Sequence, residues 1–291
     1  MSRLVCFGLG YSARVFAGRM RDKGWRVLGT TRSGERADAL RAQGFEMCLF
    51  TGEAPSKEVQ EALKQSTHVL VSIVPGHAGD PVLAQHANDL ADAQRLEWIG
   101  YLSTVGVYGD HGGAWVDEDT PLKPSSERSV ARAGAEREWL EFGAQADKAV
   151  HLFRLAGIYG LGRGPLENLR RGRARRIVKP GQMFNRIHVE DISLVLEASI
   201  ARPRAGAIYN VTDDEPAPPQ DVVAYAAELL GVEVPGEVAF EDADLSPVGR
   251  SFYGENKRVS NARIKQELGV KLSYPSYREG MRALAAHLPS P

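Results

Sequence analysis

A glycine-spaced motif lies near the start of the chain, where Gly8-Leu-Gly10-Tyr-Ser-Ala13 follows an apolar run and opens a stretch with helical spacing. In such a motif Gly8 permits a tight turn, Gly10 lets a pyrophosphate approach the backbone, and Ala13 allows close packing of helix on strand. Ser12 adds a hydroxyl donor at the helix N-terminus, which favours anions. The motif predicts a dinucleotide site, and the alternative is a glycine-rich turn that binds no ligand.

The end of the second apolar run, Gly29-Thr-Thr-Arg32-Ser33, bears on the choice of dinucleotide. A site selective for NAD places a carboxylate here for the ribose 2′-hydroxyl, and this stretch has none. Arg32 and Ser33 suit a 2′-phosphate instead, because the arginine fork binds that dianion. We therefore predict NADP in preference to NAD. The alternative is an exposed arginine without a ligand, since Glu35 and Asp38 follow closely.

Five further stretches, together with the Gly8 motif, carry a resemblance to a known family. The sequence resembles the extended short-chain dehydrogenase/reductase superfamily, in its NAD(P)-dependent epimerase/dehydratase form, over nearly the whole chain. The match is nearest to atypical members whose activities are mostly open. The stretches are Ser72-Ile-Val-Pro75, Leu102-Ser-Thr104-Val-Gly-Val-Tyr-Gly109, Arg154-Leu-Ala-Gly-Ile-Tyr-Gly160, Arg186-Ile-His188-Val-Glu-Asp191 and Tyr209-Asn-Val-Thr-Asp213.

The resemblance implies roles for particular residues. Thr104, three residues before the Val-Tyr-Gly triplet, would polarise the substrate, and Arg186 and Arg258 would line a pocket for a nucleotide diphosphate. The end of the fourth strand would lie along the cofactor. The residues expected to bind the cofactor are Gly8, Gly10, Tyr11, Ser12, Arg32, Ser33, Ile73, Val74, Pro75 and Ser103.

The sequence departs from the family at its acid-base pair. Members carry Tyr-x-x-x-Lys with a Glu four residues further on, and Glu136 anchors this register, so Arg128 stands for the tyrosine and Arg132 for the lysine. A phenol beside an ammonium can exchange a proton near neutral pH, whereas arginine stays protonated and only donates hydrogen bonds. The family's catalytic positions are therefore Thr104, Arg128 and Arg132. The alternative is a solvated Arg-Glu row on one helix face.

The stretch from Arg163 to Arg186 is strongly basic, with seven arginines and one lysine against the single Glu167. It predicts an anionic ligand, in keeping with the resemblance, or else a solvated loop. We expect no nucleic-acid partner, because the stretch lacks interleaved aromatic residues and a recognised motif. The whole chain, with a formal charge of -1, is not a polycation.

His188 and Asp191 stand three residues apart, which could serve acid-base chemistry. The structural interpretation is favoured: Asp191 caps a helix that starts at Ile192, and His188 forms a local hydrogen bond. The chain has only two cysteines, Cys6 and Cys48, and no histidine or cysteine cluster suited to a metal. We therefore predict no metal site.

The elements that must position these residues alternate along the chain. Near-continuous apolar runs separated by helical stretches predict a parallel sheet covered on both faces, hence an α/β Rossmann doubly wound fold with a smaller C-terminal substrate lobe. Helices are predicted from Ser12 to Lys23, Pro219 to Leu230, Ser260 to Leu268 and Tyr277 to Leu288, with Gly24, Gly231 and Gly269 as stops and Ser260 as an N-cap. The predicted strands are Leu4–Leu9, Arg26–Thr31, Phe45–Phe50, His68–Val74, Trp98–Ser103, His151–Ile158 and Ile208–Val211.

The expected domains are an NAD(P)-binding Rossmann domain at 1–165, to which a strand near 207–212 returns, and a mostly substrate-binding lobe at 166–291. Length and an ordinary composition, 43% hydrophobic and 25% charged, exclude disordered and fibrous classes. Apolar runs too short for a bilayer, no leader-like start and few cysteines predict a cytoplasmic protein without a membrane partner.

The sequence thus predicts an NADP-binding protein of the epimerase/dehydratase type. It would be an oxidoreductase or epimerase acting on a small anionic, phosphorylated or nucleotide-sugar substrate, as a monomer or homodimer. The alternative is a non-catalytic NADP-binding sensor or structural or regulatory partner, which the missing tyrosine favours.

Overall fold

The computed structural model describes residues 2–288. Met1 and residues 289–291, which the expected domain bounds include, lie outside the described residues. The backbone divides into two compact units. The first comprises Met1–Thr104, Glu127–Arg154 and Val195–Tyr209, and the second comprises Val105–Ser126, Leu155–Leu194 and Asn210–Pro291.

The strands and helices alternate as the apolar runs predict. The strands are β1 (Arg3–Phe7), β2 (Arg26–Thr31), β3 (Glu46–Leu49), β4 (His68–Val71), β5 (Trp98–Thr104), β6 (Trp115–Val116), β7 (Val150–Leu155), β8 (Gly157–Tyr159), β9 (Arg176–Val178), β10 (Arg186–His188), β11 (Ala207–Val211), β12 (Glu237–Ala239) and β13 (Arg258–Val259). The helices are α1 (Tyr11–Asp22), α2 (Gly34–Arg41), α3 (Lys57–Leu63), α4 (Pro81–Asp92), α5 (Glu127–Ala146), α6 (Pro165–Arg170), α7 (Val189–Ala201), α8 (Pro219–Leu230), α9 (Pro247–Tyr253), α10 (Ala262–Leu268) and α11 (Tyr277–Ala286).

The main sheet has seven strands in the order β11-β7-β5-β4-β1-β2-β3. β1 pairs in parallel with both β2 and β4, although β4 follows β3 in the chain. The strand order therefore reverses at β1, and ligands of doubly wound sheets bind at such a switch point, outside the carboxyl ends of the strands. This confirms the predicted Rossmann fold.

The expected division at residue 165 does not match the division of the backbone. Residues 105–126 belong to the second unit, where β6 pairs with β13. The expected strand His151–Ile158 likewise splits into β7 and β8, because β8 leaves the main sheet and pairs with β10. Both differences come from pairing with residues far along the chain, which local apolar patterns do not reveal.

The expected helix stops are confirmed at Gly231 and Gly269, which follow α8 and α10 with φ of 64° and 67°, the left-handed region that suits glycine. The expected start of α10 was wrong: Asn261, not Ser260, holds the N-cap position. Ser260 instead accepts a hydrogen bond from the backbone N–H of Ala262 at 3.3 Å.

No helix within residues 2–288 combines the length and the apolar character that a membrane span requires.

Trp98 and Gly100 show how tightly the centre of the main sheet is packed. They lie two residues apart on β5, so their side chains share one face of the strand. The Trp98 indole is anchored by a hydrogen bond from Nε1 to Ser199 Oγ at 3.0 Å. A Cβ on Gly100 would lie 2.1 Å from the nearest atom of that ring. Only glycine therefore fits beneath the indole.

We predict that Gly100→Ala destabilises the fold by about 1–3 kcal/mol, because the added methyl must displace the anchored indole. Gly18→Ala is the control, since its position inside α1 has open space around a Cβ. There alanine should stabilise the helix by about 0.5–1 kcal/mol. Urea unfolding of both variants measures the difference, and equal effects would contradict this account of the packing.

Candidate functional site

The turn between β1 and α1 has the geometry of a phosphate-binding loop. Gly8 has φ of 84°, and its N–H donates to Thr30 Oγ1 at 2.9 Å. A Cβ on Gly10 would meet nothing within 4 Å, so open space lies above the backbone there. Gly10 is also the N-cap of α1, and no side chain forms a hydrogen bond as its cap. Open space and uncapped helix donors fit an anion such as a pyrophosphate.

The end of β4 lies directly against this turn. The N–H of Ser72 donates to the carbonyl of Phe7 at 2.9 Å, which continues the pairing of β4 with β1. A Cβ on Gly8 would lie 3.1 Å from Ile73 Cγ1. Val74 is 62% exposed and Pro75 is buried. The structure thus brings Gly8 and Ile73 together at the switch point, and their contact with a cofactor stays a prediction.

Arg32 follows β2 at the same edge of the sheet and is exposed. Among residues 2–288 its side chain has no hydrogen-bond or ion-pair partner. Of the nearby acids, Asp38 pairs with Arg41 at 2.8 Å rather than with Arg32. Ser33 caps α2 by accepting a hydrogen bond from Arg36 N at 3.3 Å, which leaves its own O–H able to donate. Arg32 is therefore available to an anion.

Beneath the carboxyl end of β5 lies a buried ion pair. Glu136 of α5 is 2% exposed and Arg154 of β7 is 3% exposed. Arg154 donates from Nη2 and Nε to Glu136 Oε2 at 2.8 and 3.1 Å, and Ser103 Oγ donates to Glu136 Oε1 at 2.5 Å. The alternative of a solvated Arg-Glu row on α5 was therefore wrong, since Glu136 is fully paired in the core.

The two arginines that the resemblance places at the acid-base positions differ from each other in exposure. Arg128 is exposed, whereas Arg132 is half-buried. Arg132 Nη1 donates to the carbonyl of Leu102 at 2.7 Å and to the Tyr101 hydroxyl at 3.2 Å, and its Cζ lies 5.5 Å from the centre of the Tyr101 ring. Burial raises the pKa of Tyr101 despite this guanidinium. Arg132 therefore holds α5 against β5, and Tyr101 stays protonated.

Arg186, expected in a substrate pocket, is buried within the second unit. Its Nη1 donates to the carbonyls of Phe184 and Ala217 at 3.0 and 3.2 Å. Burial raises the pKa of the neighbouring Asp213 to about 8, and Arg186 lowers it less strongly. Arg186 thus has a structural role in this unit, and its contact with a substrate stays a prediction.

Arg258 also forms a structural contact in the second unit. It lies on β13 opposite Trp115 of β6, and its Nη1 donates to the carbonyl of Gly113. The strand pairing and this contact hold Arg258 in a fixed position. A role in substrate binding stays a prediction here too.

Asp191 and His188 lie near the start of α7, in the second unit. The expectation that Asp191 caps a helix at Ile192 was wrong, because α7 begins at Val189 and the Asp191 carboxylate accepts hydrogen bonds from the N–H groups of Ser273 and Tyr274 at 2.7 and 3.0 Å. The local hydrogen bond of His188 is confirmed: Nδ1 accepts from Glu190 N at 3.3 Å. Burial lowers the pKa of His188 to about 4, so it is neutral at pH 7.

In the basic stretch from Arg163 to Arg186, acidic side chains pair with part of the excess positive charge. Glu167 pairs with Arg171 at 2.5 Å and lies 3.6 Å from Arg170. Arg173 and Arg175 are exposed and have no side-chain partner in the described part of the chain. These two arginines remain candidates for an anionic ligand.

Comparisons with known proteins show which proteins the chain is similar to. No protein-family model matches the sequence. The chain is 29% identical to protein YeeZ of Escherichia coli K12 over 290 residues, which cover 94% of this chain and 97% of that protein. It is 54% identical to a functionally unknown conserved protein from Silicibacter pomeroyi DSS, with a TM-score of 0.91 and coverage of 98% and 99% of the two chains. The whole architecture is thus shared with a protein whose function is unknown.

Two other matches carry functional names. A Methylobacillus flagellatus structure assigned to the NAD-dependent epimerase/dehydratases is 25% identical with a TM-score of 0.69, and each chain covers 98% of the other. A Streptomyces griseus dTDP-glucose 4,6-dehydratase is 27% identical over 177 residues, 58% of this chain and 52% of that enzyme. In sequence and fold the chain is thus similar to NAD-dependent epimerase/dehydratases. MoeE5, solved with UDP-glucuronic acid and NAD, has the same fold, with 22% identity, a TM-score of 0.76 and coverage of 98% of both chains.

The likeness to NAD-dependent epimerase/dehydratases makes the Gly10 turn a testable NAD(P) site. We predict that Gly10→Val abolishes NADPH binding, because the branched side chain would fill the open space over the backbone. The fold should survive, since φ of -81° at Gly10 suits any residue. Gly236→Val, which also has open space around its Cβ, is the control and should bind normally. Fluorescence titration with NADPH checks both, and normal binding by Gly10→Val would refute the site.

We predict that Arg154→Met destabilises the protein by about 3–5 kcal/mol, because the buried carboxylate of Glu136 would lose its ion-pair partner. Arg137→Met is the control on α5: Arg137 is exposed and lies 3.7 Å from Glu141, a surface pair worth about 0.5 kcal/mol or less. Denaturant unfolding gives both values. A cost below that of a surface pair would show that Glu136 finds another partner.

Proposed function

We propose that this chain is an NADP-dependent oxidoreductase or epimerase that acts on a small anionic, phosphorylated or nucleotide-sugar substrate. The likeness to NAD-dependent epimerase/dehydratases supports an NAD(P)-binding enzyme, and the preference for NADP rests on Arg32. That arginine is exposed and without a partner in residues 2–288, at the point where an NAD-selective site carries a carboxylate. The substrate class is suggested by similar proteins that are named as dehydratases or epimerases. Those names describe the similar proteins and not this chain.

Residues at the carboxyl end of β5 have separate roles in this proposed reaction. A bound nicotinamide would supply or accept the hydride. Thr104, at the carboxyl end of β5, polarises the substrate oxygen with its hydroxyl, and the pairing of neighbouring Ser103 with Glu136 fixes the backbone there. No tyrosine lies between Tyr108 and Tyr159, so the proton comes from water or from a substrate group.

A second candidate function is a non-catalytic NADP-binding sensor or regulatory partner. The state of α5 favours it: Arg128 is exposed, Arg132 is tied to β5, and neither can release a proton near neutral pH. The two functions are distinguished by incubating the protein with NADPH or NADP⁺ and a panel of carbonyl and sugar-nucleotide substrates. Loss of the nicotinamide absorbance band of NADPH supports an oxidoreductase, and conversion of a sugar nucleotide with NADP⁺ without net change of that band supports an epimerase, which regenerates its cofactor. Tight cofactor binding without conversion of any substrate supports a sensor.

The remaining parts of the proposal concern location and partners. A cytoplasmic location is consistent with two free, buried cysteines, Cys6 and Cys48. A monomer or homodimer and the absence of a nucleic-acid partner stay predictions from the sequence. The proposed partner is a small anionic substrate.

We predict that the native protein binds NADPH more tightly than NADH and that Arg32→Glu removes or reverses this preference. Loss of a charge-assisted pair of this kind lowers affinity by about tenfold to a hundredfold. Lys57→Glu makes the same charge change at an exposed residue of α3 and should leave the preference intact. Calorimetry with both cofactors is the measurement, and equal native affinities would overturn the assignment to NADP.

A further inference from the structure

We propose that Arg132 binds a carboxylate group of the substrate through the Nε and Nη2 edge of its guanidinium. The proposal rests on the proposed function, since it names the substrate class of that site as carboxylate-bearing. Arg132 occupies the position of the family's lysine, on α5.

Only one nitrogen of Arg132 serves the fold. Nη1 donates to the Leu102 carbonyl at 2.7 Å and to the Tyr101 hydroxyl at 3.2 Å, and the guanidinium also contacts the Tyr101 ring. Two hydrogen bonds to β5 fix the orientation of the planar group. The Arg132 side chain is therefore already ordered in the free protein, and binding a ligand costs little further side-chain entropy.

The opposite edge of the guanidinium is free. Within residues 2–288 neither Nε nor Nη2 of Arg132 has a hydrogen-bond or ion-pair partner. Neither atom is fully buried, so both keep access to solvent. Nε and Nη2 point in parallel, and this two-donor edge matches the two oxygens of a carboxylate.

The same edge is already in use elsewhere in this unit. Arg154 places Nε and Nη2 against Glu136, with Nε 3.3 Å from Oε1 and 3.1 Å from Oε2, and Nη2 2.8 Å from Oε2. There the partner carboxylate comes from the protein. In Arg132 the equivalent edge faces accessible space, so its partner must come from solution.

The surrounding charges favour an anion. Arg128 is exposed one helical turn earlier and adds a second positive charge. Asp80 lies close enough for Arg132 to lower the pKa of its carboxyl, but burial has the larger effect and raises that pKa. Asp80 forms no ion pair with Arg132, and its Oδ1 accepts from Val82 N at 2.8 Å as the cap of α4. Asp80 therefore does not take the place of an external carboxylate.

The test compares Arg132→Lys with the native protein. Lysine keeps the charge but has no two-donor edge. Arg137→Lys, an exposed change on the same helix, is the matched control. Calorimetry measures the binding of malonate and oxamate, of their uncharged partners malonamide and oxamide, and of methyl phosphate, with and without NADP⁺.

We expect both acids to bind the native protein more tightly than their amides, and Arg132→Lys to weaken acid binding by about tenfold to a hundredfold. The amides should bind both proteins alike, and Arg137→Lys should behave as native. The ¹⁵N resonance of Arg132 Nε, assigned by its loss in Arg132→Lys, should shift when acid is added.

Three results would overturn the proposal: no binding of either acid, equal binding of acids and amides, or methyl phosphate binding more tightly than both acids with the same dependence on Arg132. NADPH binding is measured first by fluorescence. Its absence contradicts the proposed function, and the acid titrations without NADP⁺ still decide the role of Arg132. NADPH binding without acid discrimination contradicts the role of Arg132 alone.

Discussion

The buried carboxylate of Glu136 is the constraint on which the geometry of the site depends. A charge 2% exposed is tolerated only when its oxygens are paired, and here Arg154 and Ser103 pair both. These three residues belong to α5, β7 and β5. One interaction therefore sets the position of α5 over the sheet, and with it Arg132 and Arg128, one and two turns earlier on the same helix.

The sheet topology imposes the second constraint. Because the strand order reverses at β1, the loops after β1 and β4 open on the same edge without a helix crossing between them. Gly8 and Ile73 meet there so closely that a Cβ on Gly8 would lie 3.1 Å from the isoleucine side chain. The positive φ of Gly8 favours glycine, and this contact leaves little room for a Cβ. The open space over Gly10 follows from the turn that Gly8 permits.

The sequence predicted the parts of the structure that arise from local patterns. Seven apolar runs gave the seven strands of the main sheet, and the glycine motif gave the turn at β1, because each is set by neighbouring residues. The roles of Glu136 and Asp191 could not be predicted this way. Asp191 accepts from residues 82 and 83 positions away, and Glu136 from residues 33 and 18 positions away. A signal existed for one of them: Arg154 is a charge inside an apolar run, and such a residue requires a buried partner.

Two opposing effects on the pKa of Tyr101 determine which chemistry the site can perform. A neighbouring cation lowers the pKa of a phenol, and this is how a tyrosine-lysine pair provides a proton carrier near neutral pH. Arg132 donates to the Tyr101 hydroxyl, yet burial outweighs that cation and raises the pKa of Tyr101. Arg132, which the resemblance places where the family carries lysine, is therefore coupled to a phenol that cannot ionise near pH 7. What remains to Arg132 is hydrogen-bond donation by a fixed cation, which in our proposal binds and orients an anionic group and leaves proton transfer to water or to the substrate.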